Sequence, residues 1–138
     1  MPKVDVAILG GGLAGNLLAL QLRKHTPGVS VAVFEKSITR GYKVGESTVE
    51  VATHYLIRRM GLSTYTYKEH LPKNGLRFFG GDGREPLHTR TEIGPTEFPV
   101  LHSYQIDRGI IETDMRGMVE EAGATLIEGA IVGEVTLT

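Results

Sequence analysis

VDVAILGGGLAGNLLALQLRKHTPGVSVAVFE, residues 4–35, joins an apolar run, a glycine cluster, an amphipathic stretch to His25 and a second apolar run ending at Glu35. That order predicts a strand, a tight turn, a helix and a parallel strand. It is one βαβ unit of an α/β, Rossmann-like fold built on a parallel sheet. Among 18 glycines in 138 residues some pairings arise by chance, so the glycine spacing gains meaning only from its place between strand and helix. Gly10 is suited to the tight turn, Gly12 lets the backbone approach a pyrophosphate, and Gly15 lets helix and strand pack closely. The N–H groups of the first helical turn, at Leu13 and Ala14, then face the phosphates together with the positive end of the helix dipole.

Glu35 follows Gly15 by 20 positions (35 − 15), where a carboxylate accepts hydrogen bonds from ribose hydroxyls and repels a 2′-phosphate. The expected ligand is therefore FAD or NAD rather than NADP. The plainer alternative is a packing unit whose glycines serve turns and whose Glu35 is solvated. Strand, glycines, helix and acid standing in register argue against it.

With 41% apolar and 22% charged residues, the chain has the composition of one ordinary soluble domain or a piece of a larger one. Basic and acidic residues are interspersed at a formal net charge of -1, so no long-range field marks a nucleic-acid or membrane partner. Cysteine is absent, which excludes a disulfide framework, a thiolate metal site and thiol redox chemistry. His25, His54, His70, His88 and His102 fall at no metal-ligand spacing, and no metal site is expected. The first strand begins almost at Met1, leaving no room for a signal peptide, and no apolar run approaches the roughly 20 residues of a membrane span. The expected location is cytoplasmic.

Beyond Glu35, residues 36–42 are polar, and Lys43-Val44-Gly45-Glu46-Ser47-Thr48 leads into a predicted helix over about 49–60, stopped by Gly61. Ser47 or Thr48 is the expected cap, with Val51, Tyr55, Leu56 and Ile57 near one face. The loop has two readings. It caps a helix and nothing more, or Gly45 lets it approach a flat ring while the helix N-terminus offers N–H donors to a cofactor. Residues 74–79 are predicted as a strand with its turn at 80–83, and the proline-punctuated stretch 84–101 as a long loop or short hairpin. Asp107 is the expected N-cap of a helix carrying Ile110, Ile111, Met115, Met118 and Val119 and stopped by Gly123. Residues 125–127 and 131–137 are expected strands joined through Gly129. Tyr55, Tyr65 and Tyr67 read as packing residues, and Ser47 shows no base partner that would make it a nucleophile.

With these pieces in order, the chain resembles the N-terminal part of FAD-dependent oxidoreductases, in the large group that holds the aromatic-ring monooxygenases and the flavin-dependent halogenases. Two elements are shared by both branches. One is Ala7-Ile8-Leu9-Gly10-Gly11-Gly12-Leu13-Ala14-Gly15 with Val33-Phe34-Glu35-Lys36; the other is Gln105-Ile106-Asp107-Arg108, opening a helix that ends in Glu121-Ala122-Gly123-Ala124. Two more are similar to the halogenase branch. Val44-Gly45-Glu46-Ser47-Thr48 matches the loop that family lays against the flavin, and Lys73-Asn74-Gly75-Leu76-Arg77-Phe78 matches the segment holding its essential lysine.

The resemblance implies FAD as cofactor, with Gly10, Gly12, Leu13, Ala14, Gly15, Glu35, Lys36, Gly45, Glu46, Ser47, Gln105 and Arg108 as its contacts. It implies a reaction in which a flavin hydroperoxide oxidises halide and Lys73, the catalytic residue, relays hypohalous acid to an electron-rich, aromatic small molecule. A flavin reductase is the implied partner. An amine suits the relay, because as a cation it donates hydrogen bonds to an oxidant and when desolvated it becomes a nucleophile. The structural alternatives are a solvated Lys73 beside a strand, and an Asp107 and Arg108 that only cap and decorate a helix.

The family's second glycine–aspartate motif, its tryptophan-rich signature and its substrate domain are not in this chain, in which Trp is 0. The chain therefore reads as the front of a FAD-binding domain, truncated relative to the family. Its parts are a βαβ unit at 4–35, a cofactor loop and helix at 43–60, a strand and loop at 73–101, and a helix with strands at 107–138. Two other functions stay open: a FAD-dependent monooxygenase or reductase, marked by halide-independent NAD(P)H consumption, and a noncatalytic nucleotide-binding fragment, marked by tight nucleotide binding to residues 1–138 alone.

Overall fold

The computed structural model describes residues 3–39 and 41–136, which fall into two compact units, Met1–Glu46 with Asp107–Thr138, and Ser47–Ile106. The first unit holds the predicted parallel sheet. Strand β1 (Val6–Leu9) leads through the glycine turn into helix α1 (Leu13–His25) and back to β2 (Val31–Glu35). Both strands run parallel, with Val6 opposite Val31 and Leu9 opposite Phe34. Later in the chain, α4 (Arg108–Glu121) delivers β7 (Thr125–Glu128) to the other edge of β2, again parallel, with Ala32 opposite Thr125 and Glu35 opposite Glu128. Strand β2 is thus the middle of three. Its central place explains why Val31, Ala32 and Val33 are all buried, without the alternation of a half-exposed strand.

Ile8, Val31 and Val33 of the sheet, Ala19 of α1, Val119 of α4 and Ala124 form the core, each large aliphatic side chain contributing about 1.5–3 kcal/mol by leaving water. Arg23 fastens this layer at its far end. Its Nε donates to the Ala122 carbonyl at 2.9 Å and its Nη1 to the Val29 carbonyl at 2.8 Å, so the ends of both helices and the entry to β2 share one guanidinium. Asp107 caps α4 as predicted, its Oδ1 accepting from the Ile110 N–H at 2.9 Å, and Gly123 ends the helix at φ +82°. Residues 131–136 are not a strand. Ile131 and Val135 are exposed and the segment pairs with nothing among the described residues, while Leu137, the end of that predicted strand, lies outside them.

The second unit combines short elements. The helix predicted for 49–60 is α2 (Glu50–His54) continued by a π turn (Tyr55–Arg59), and Gly61 at φ +76° ends it. Its buried face is Thr53, Leu56 and Met60 rather than one containing Val51, which is 80% exposed, and the wider π turn from Tyr55 on sets the spacing between Leu56 and Met60. Ser47 and Thr48 do not cap it; Val49 holds that place with no side-chain bond. A further helix, α3 (Ser63–Glu69), buries Thr66 and sets Tyr65 edge-on to His70, whereas Tyr67 is 72% exposed and is not a core residue.

Of the strand expected at 74–79 only Phe78–Phe79 forms, and a separate strand precedes it. Gly75, at φ +123°, leaves the extended region, so pairing stops after β3 (Leu71–Lys73) and resumes at β4 (Phe78–Phe79). β3 runs antiparallel to β6 (Ser103–Gln105), with Lys73 opposite Ser103. β4 runs antiparallel to β5 (Glu92–Ile93), which makes the short hairpin of the proline-rich stretch. Among the described residues no helix is long and apolar enough to cross a membrane.

Candidate functional site

The glycine turn at the carboxyl end of β1 has the geometry its spacing predicts. Gly10 takes φ +111° and donates its N–H to the Phe34 carbonyl at 2.8 Å. Gly12 stands at the N-cap of α1 with extended backbone and no side chain over the first turn, where Leu13 and Ala14 follow. Gly15 has no room for anything larger, since a Cβ there would lie 1.9 Å from the Gly10 carbonyl oxygen. Asn16, fully buried, ties the turn from beneath by donating its Nδ2 to the Gly11 carbonyl at 2.9 Å.

Glu35 does more than decorate the end of β2. Its Oε2 accepts from the Gly11 N–H at 2.6 Å and its Oε1 from the Ser37 N–H at 2.9 Å, so this carboxylate laces the glycine turn to the second strand. Each oxygen keeps a further lone pair. Burial pushes the Glu35 carboxyl upward, but the N–H bonds of Ser37 and Gly11 and the charges of Arg116 and Lys43 outweigh it and hold it below its ordinary value. Beside it, Leu9, Gly10, Phe34, Glu35, Lys36 and Val132 line an open cavity of about 230 Å³ at the carboxyl ends of β1 and β2. Parallel α/β sheets bind nucleotides at this place. Apolar walls, an acid at the rim and bare N–H groups at an adjoining helix end fit an adenosine diphosphate moiety, and hence the adenylate half of FAD.

A charge cluster flanks the same helix end. Arg108 donates Nε to Glu112 Oε1 at 3.0 Å, Nη2 to the same oxygen, and Nη1 to the Val44 carbonyl at 2.6 Å, while Lys43 Nζ reaches Glu112 Oε2 at 2.5 Å. A Cβ on Gly12 would stand 4.0 Å from both Glu112 oxygens, which places the cluster against the α1 N-terminus. Two cations, Lys43 and Arg108, thus share one carboxylate there. Glu112 is 5% exposed; burial raises its pKa, but its bonds to Lys43 and Arg108 win and lower it overall. Gly45, at φ +87°, passes the Arg108 guanidinium at a distance that leaves a Cβ 3.5 Å from Nη1, and Glu46 Oε1 accepts the Arg108 N–H at 3.1 Å. Gly45, Glu46 and Arg108 are therefore brought together, with Glu46 acting as a second acid at the start of α4.

Glu35 and Glu112 set an acid limb. Each has a folded pKa below the ordinary 4.5, so its contribution is complete above that value and is lost as pH falls through the lowered one. In urea unfolding against pH, Glu112→Gln is expected to be less stable than the parent above the ordinary 4.5 and to converge on it as pH falls through the lowered value. Parallel curves would mean the carboxylate contributes nothing.

In the second unit the structure joins Lys73 to Ser47. Lys73 Nζ donates to Ser47 Oγ at 2.7 Å and to the Thr48 carbonyl at 2.5 Å, and the Lys73 carbonyl accepts from Ser103 Oγ at 3.1 Å. Thr48 is free to hold that carbonyl because its hydroxyl serves β6, donating to the Tyr104 carbonyl at 2.7 Å and accepting its N–H at 2.8 Å. That strand-like pairing, with the Ser47–Gln105 bridge, is why neither residue caps α2. The amine sits partly buried in the wall of an open cavity of about 190 Å³ shared with Val49, Glu50, Leu76 and Pro95. Gln105 itself is exposed at the end of β6.

Three participants escaped the sequence reading: Lys43, Glu112 and Arg116. The last two continue an i, i+4 ladder from Arg108 along the face that also carries Ile111 and Met115, and charges at helical spacing on an apolar face were the available signal. No group of three or more potential metal-binding side chains exists among the described residues.

A parallel βαβ unit with a glycine turn, a helix N-terminus left without a side-chain cap and an acid closing the second strand defines a dinucleotide-binding α/β domain. The chain belongs to the FAD binding domain family, whose model matches residues 3–133. It is 31% identical to the flavin-dependent halogenase chlA of Dictyostelium discoideum, over 92% of this chain and 23% of that protein, and 30% identical to the flavin-dependent halogenase malA of Malbranchea aurantiaca, over 91% and 19%. The chain thus spans about a fifth to a quarter of the length of these curated relatives. The flavin-dependent brominase Bmp2 shares the fold, with a TM-score of 0.76 at 24% identity, covering 98% of this chain and 31% of that one.

Proposed function

We propose that this chain is the FAD-binding front of a flavin-dependent halogenase that acts on an electron-rich, aromatic small molecule and receives its reduced flavin from a reductase. The observation that carries the reading is the Lys73 ammonium, held by Ser47 Oγ and the Thr48 carbonyl at the wall of a cavity. The names of the relatives point the same way. Gly10, Gly12, Leu13, Ala14 and Gly15 receive the pyrophosphate, with Arg108 and Lys43 beside it, and Glu35 and Lys36 receive the ribose corner. Gly45, Glu46, Ser47 and Gln105 belong to the loop and strand end assigned to the flavin.

When bound and reduced, FAD supplies with molecular oxygen the oxidising power that makes halide electrophilic. The chain's own contribution is to hold that electrophile. Lys73 spends two N–H bonds on Ser47 and Thr48, which fixes the direction of the third; that donor polarises the oxidant and orients it toward a ring in the adjoining cavity. The test is the intact protein with reduced flavin, oxygen, chloride or bromide and an electron-rich phenol or pyrrole, followed by mass spectrometry. A halogenated product supports the reading. Oxygen incorporation into the ring at the same rate with and without halide would replace it with a monooxygenase.

A further inference from the structure

Glu35 and Glu128 are register partners at the carboxyl ends of neighbouring parallel strands, so their side chains leave the sheet on the same face. Two carboxylates so placed repel, and the more buried one is driven toward its neutral form. Between them stands Arg116 of α4, only 3% exposed. Its Nη1 pairs with Glu128 Oε1 and reaches the Ser37 carbonyl at 3.4 Å, and Ser37 is the residue whose N–H holds Glu35. Packing does not account for an arginine here. Ile111, Met115 and Val119 fill the buried positions around it on α4, and the buried Arg116 Nε has no hydrogen-bond partner among the described residues, a desolvation cost that a methionine would avoid.

We infer that Arg116 is a positioning residue for the nucleotide site: by neutralising Glu128 and holding the Ser37 backbone, it keeps Glu35 ionised and fixed toward the ribose. The assignment of the ribose to Glu35 is the one proposed above, and this inference rests on it. The charged groups facing Glu35 are Arg116 from α4, Lys43 from the loop after β2 and Glu128 from β7; Lys36 follows it in the chain and points to solvent. Lys43 is shared with Glu112, so Arg116 is the cation placed to offset Glu128.

The test is a carboxylate-carbon NMR titration of Glu35 in the intact protein, beside FAD binding followed by flavin fluorescence. In Arg116→Met the Glu35 pKa is expected to rise, and in Arg116→Lys to stay low. Glu128→Gln, which leaves the arginine in place, is expected to lower it further. Below the raised pKa, FAD affinity of Arg116→Met falls about tenfold per pH unit, while the parent stays flat from about pH 5 to about pH 8. A Glu35 titration that moves in neither Arg116→Met nor Glu128→Gln overturns the inference. Unchanged FAD affinity in Glu35→Gln overturns instead the assignment of the ribose, and leaves the titration result standing.

Discussion

Gly15→Ala is expected to abolish tight FAD binding by the intact protein and to lower its melting temperature, although it adds a single methyl group. The added Cβ would lie 1.9 Å from the Gly10 carbonyl oxygen and 3.1 Å from its carbon. Both are backbone atoms and cannot rotate away, so α1 must retreat from the turn by about 1 Å, and overpacking of this kind costs about 1–3 kcal/mol. The retreat also carries the N–H groups of Leu13 and Ala14 off the phosphates, a misplacement worth about 100-fold in a preorganised site. Gly10→Ala is the control. It meets nothing within 4 Å and bears only the strain of φ +111°, about 1–3 kcal/mol, so it should destabilise the turn without displacing the helix. FAD affinity within twofold of the parent in Gly15→Ala would refute the close-packing account.

Lys73→Met should remove halogenated product and leave FAD bound. The side chain is nearly isosteric and keeps the apolar stem in the cavity wall, but it can neither donate to Ser47 and Thr48 nor polarise an oxidant. A positioned acid or donor of this kind is worth about 100- to 10,000-fold, so product formation is expected to fall at least about 100-fold. Lys73→Arg is expected not to restore it, because a guanidinium is a planar, permanently charged fork that does not fit two oxygens arranged for a compact ammonium. Product by mass spectrometry and flavin content by absorbance separate the two effects. Halogenation within threefold of the parent in Lys73→Met would remove this residue from the mechanism.

What could be read from the sequence was local. Gly10, Gly12, Gly15 and Glu35 lie within one βαβ unit, and each is chosen for what its own backbone or nearest neighbour needs, so spacing read between the predicted strands and helix was enough to find them. The cap at Asp107 and the stops at Gly61 and Gly123 were legible for the same reason. Lys73 was marked by a family pattern, but its partners were not, because the contact to Ser47 spans 26 positions and depends on β6, a strand of three residues with no periodicity to find. α3 escaped because Ser63–Glu69 carries no apolar stripe. The strands expected at 74–79 and 131–137 were apolar enough, but β-pairing is decided by a partner. At Gly75 the backbone turns out of register, and beyond Ala130, whose N–H donates to the Glu35 carbonyl, no strand pairing is found among the described residues.

The double lacing of Glu35, to Gly11 on one oxygen and Ser37 on the other, has a consequence for attempts to redesign nucleotide preference. Acceptance of a nucleotide with a 2′-phosphate would require exchanging the acid at the end of the second strand for a small or basic residue. In this chain that exchange would also untie the glycine turn from β2, so on the proposed assignment selectivity and affinity are written in the same two oxygen atoms. A library that varies residue 35 alone should yield variants that lose the old ligand without gaining the new one. Productive solutions have to supply a substitute anchor for the Gly11 N–H in the same step.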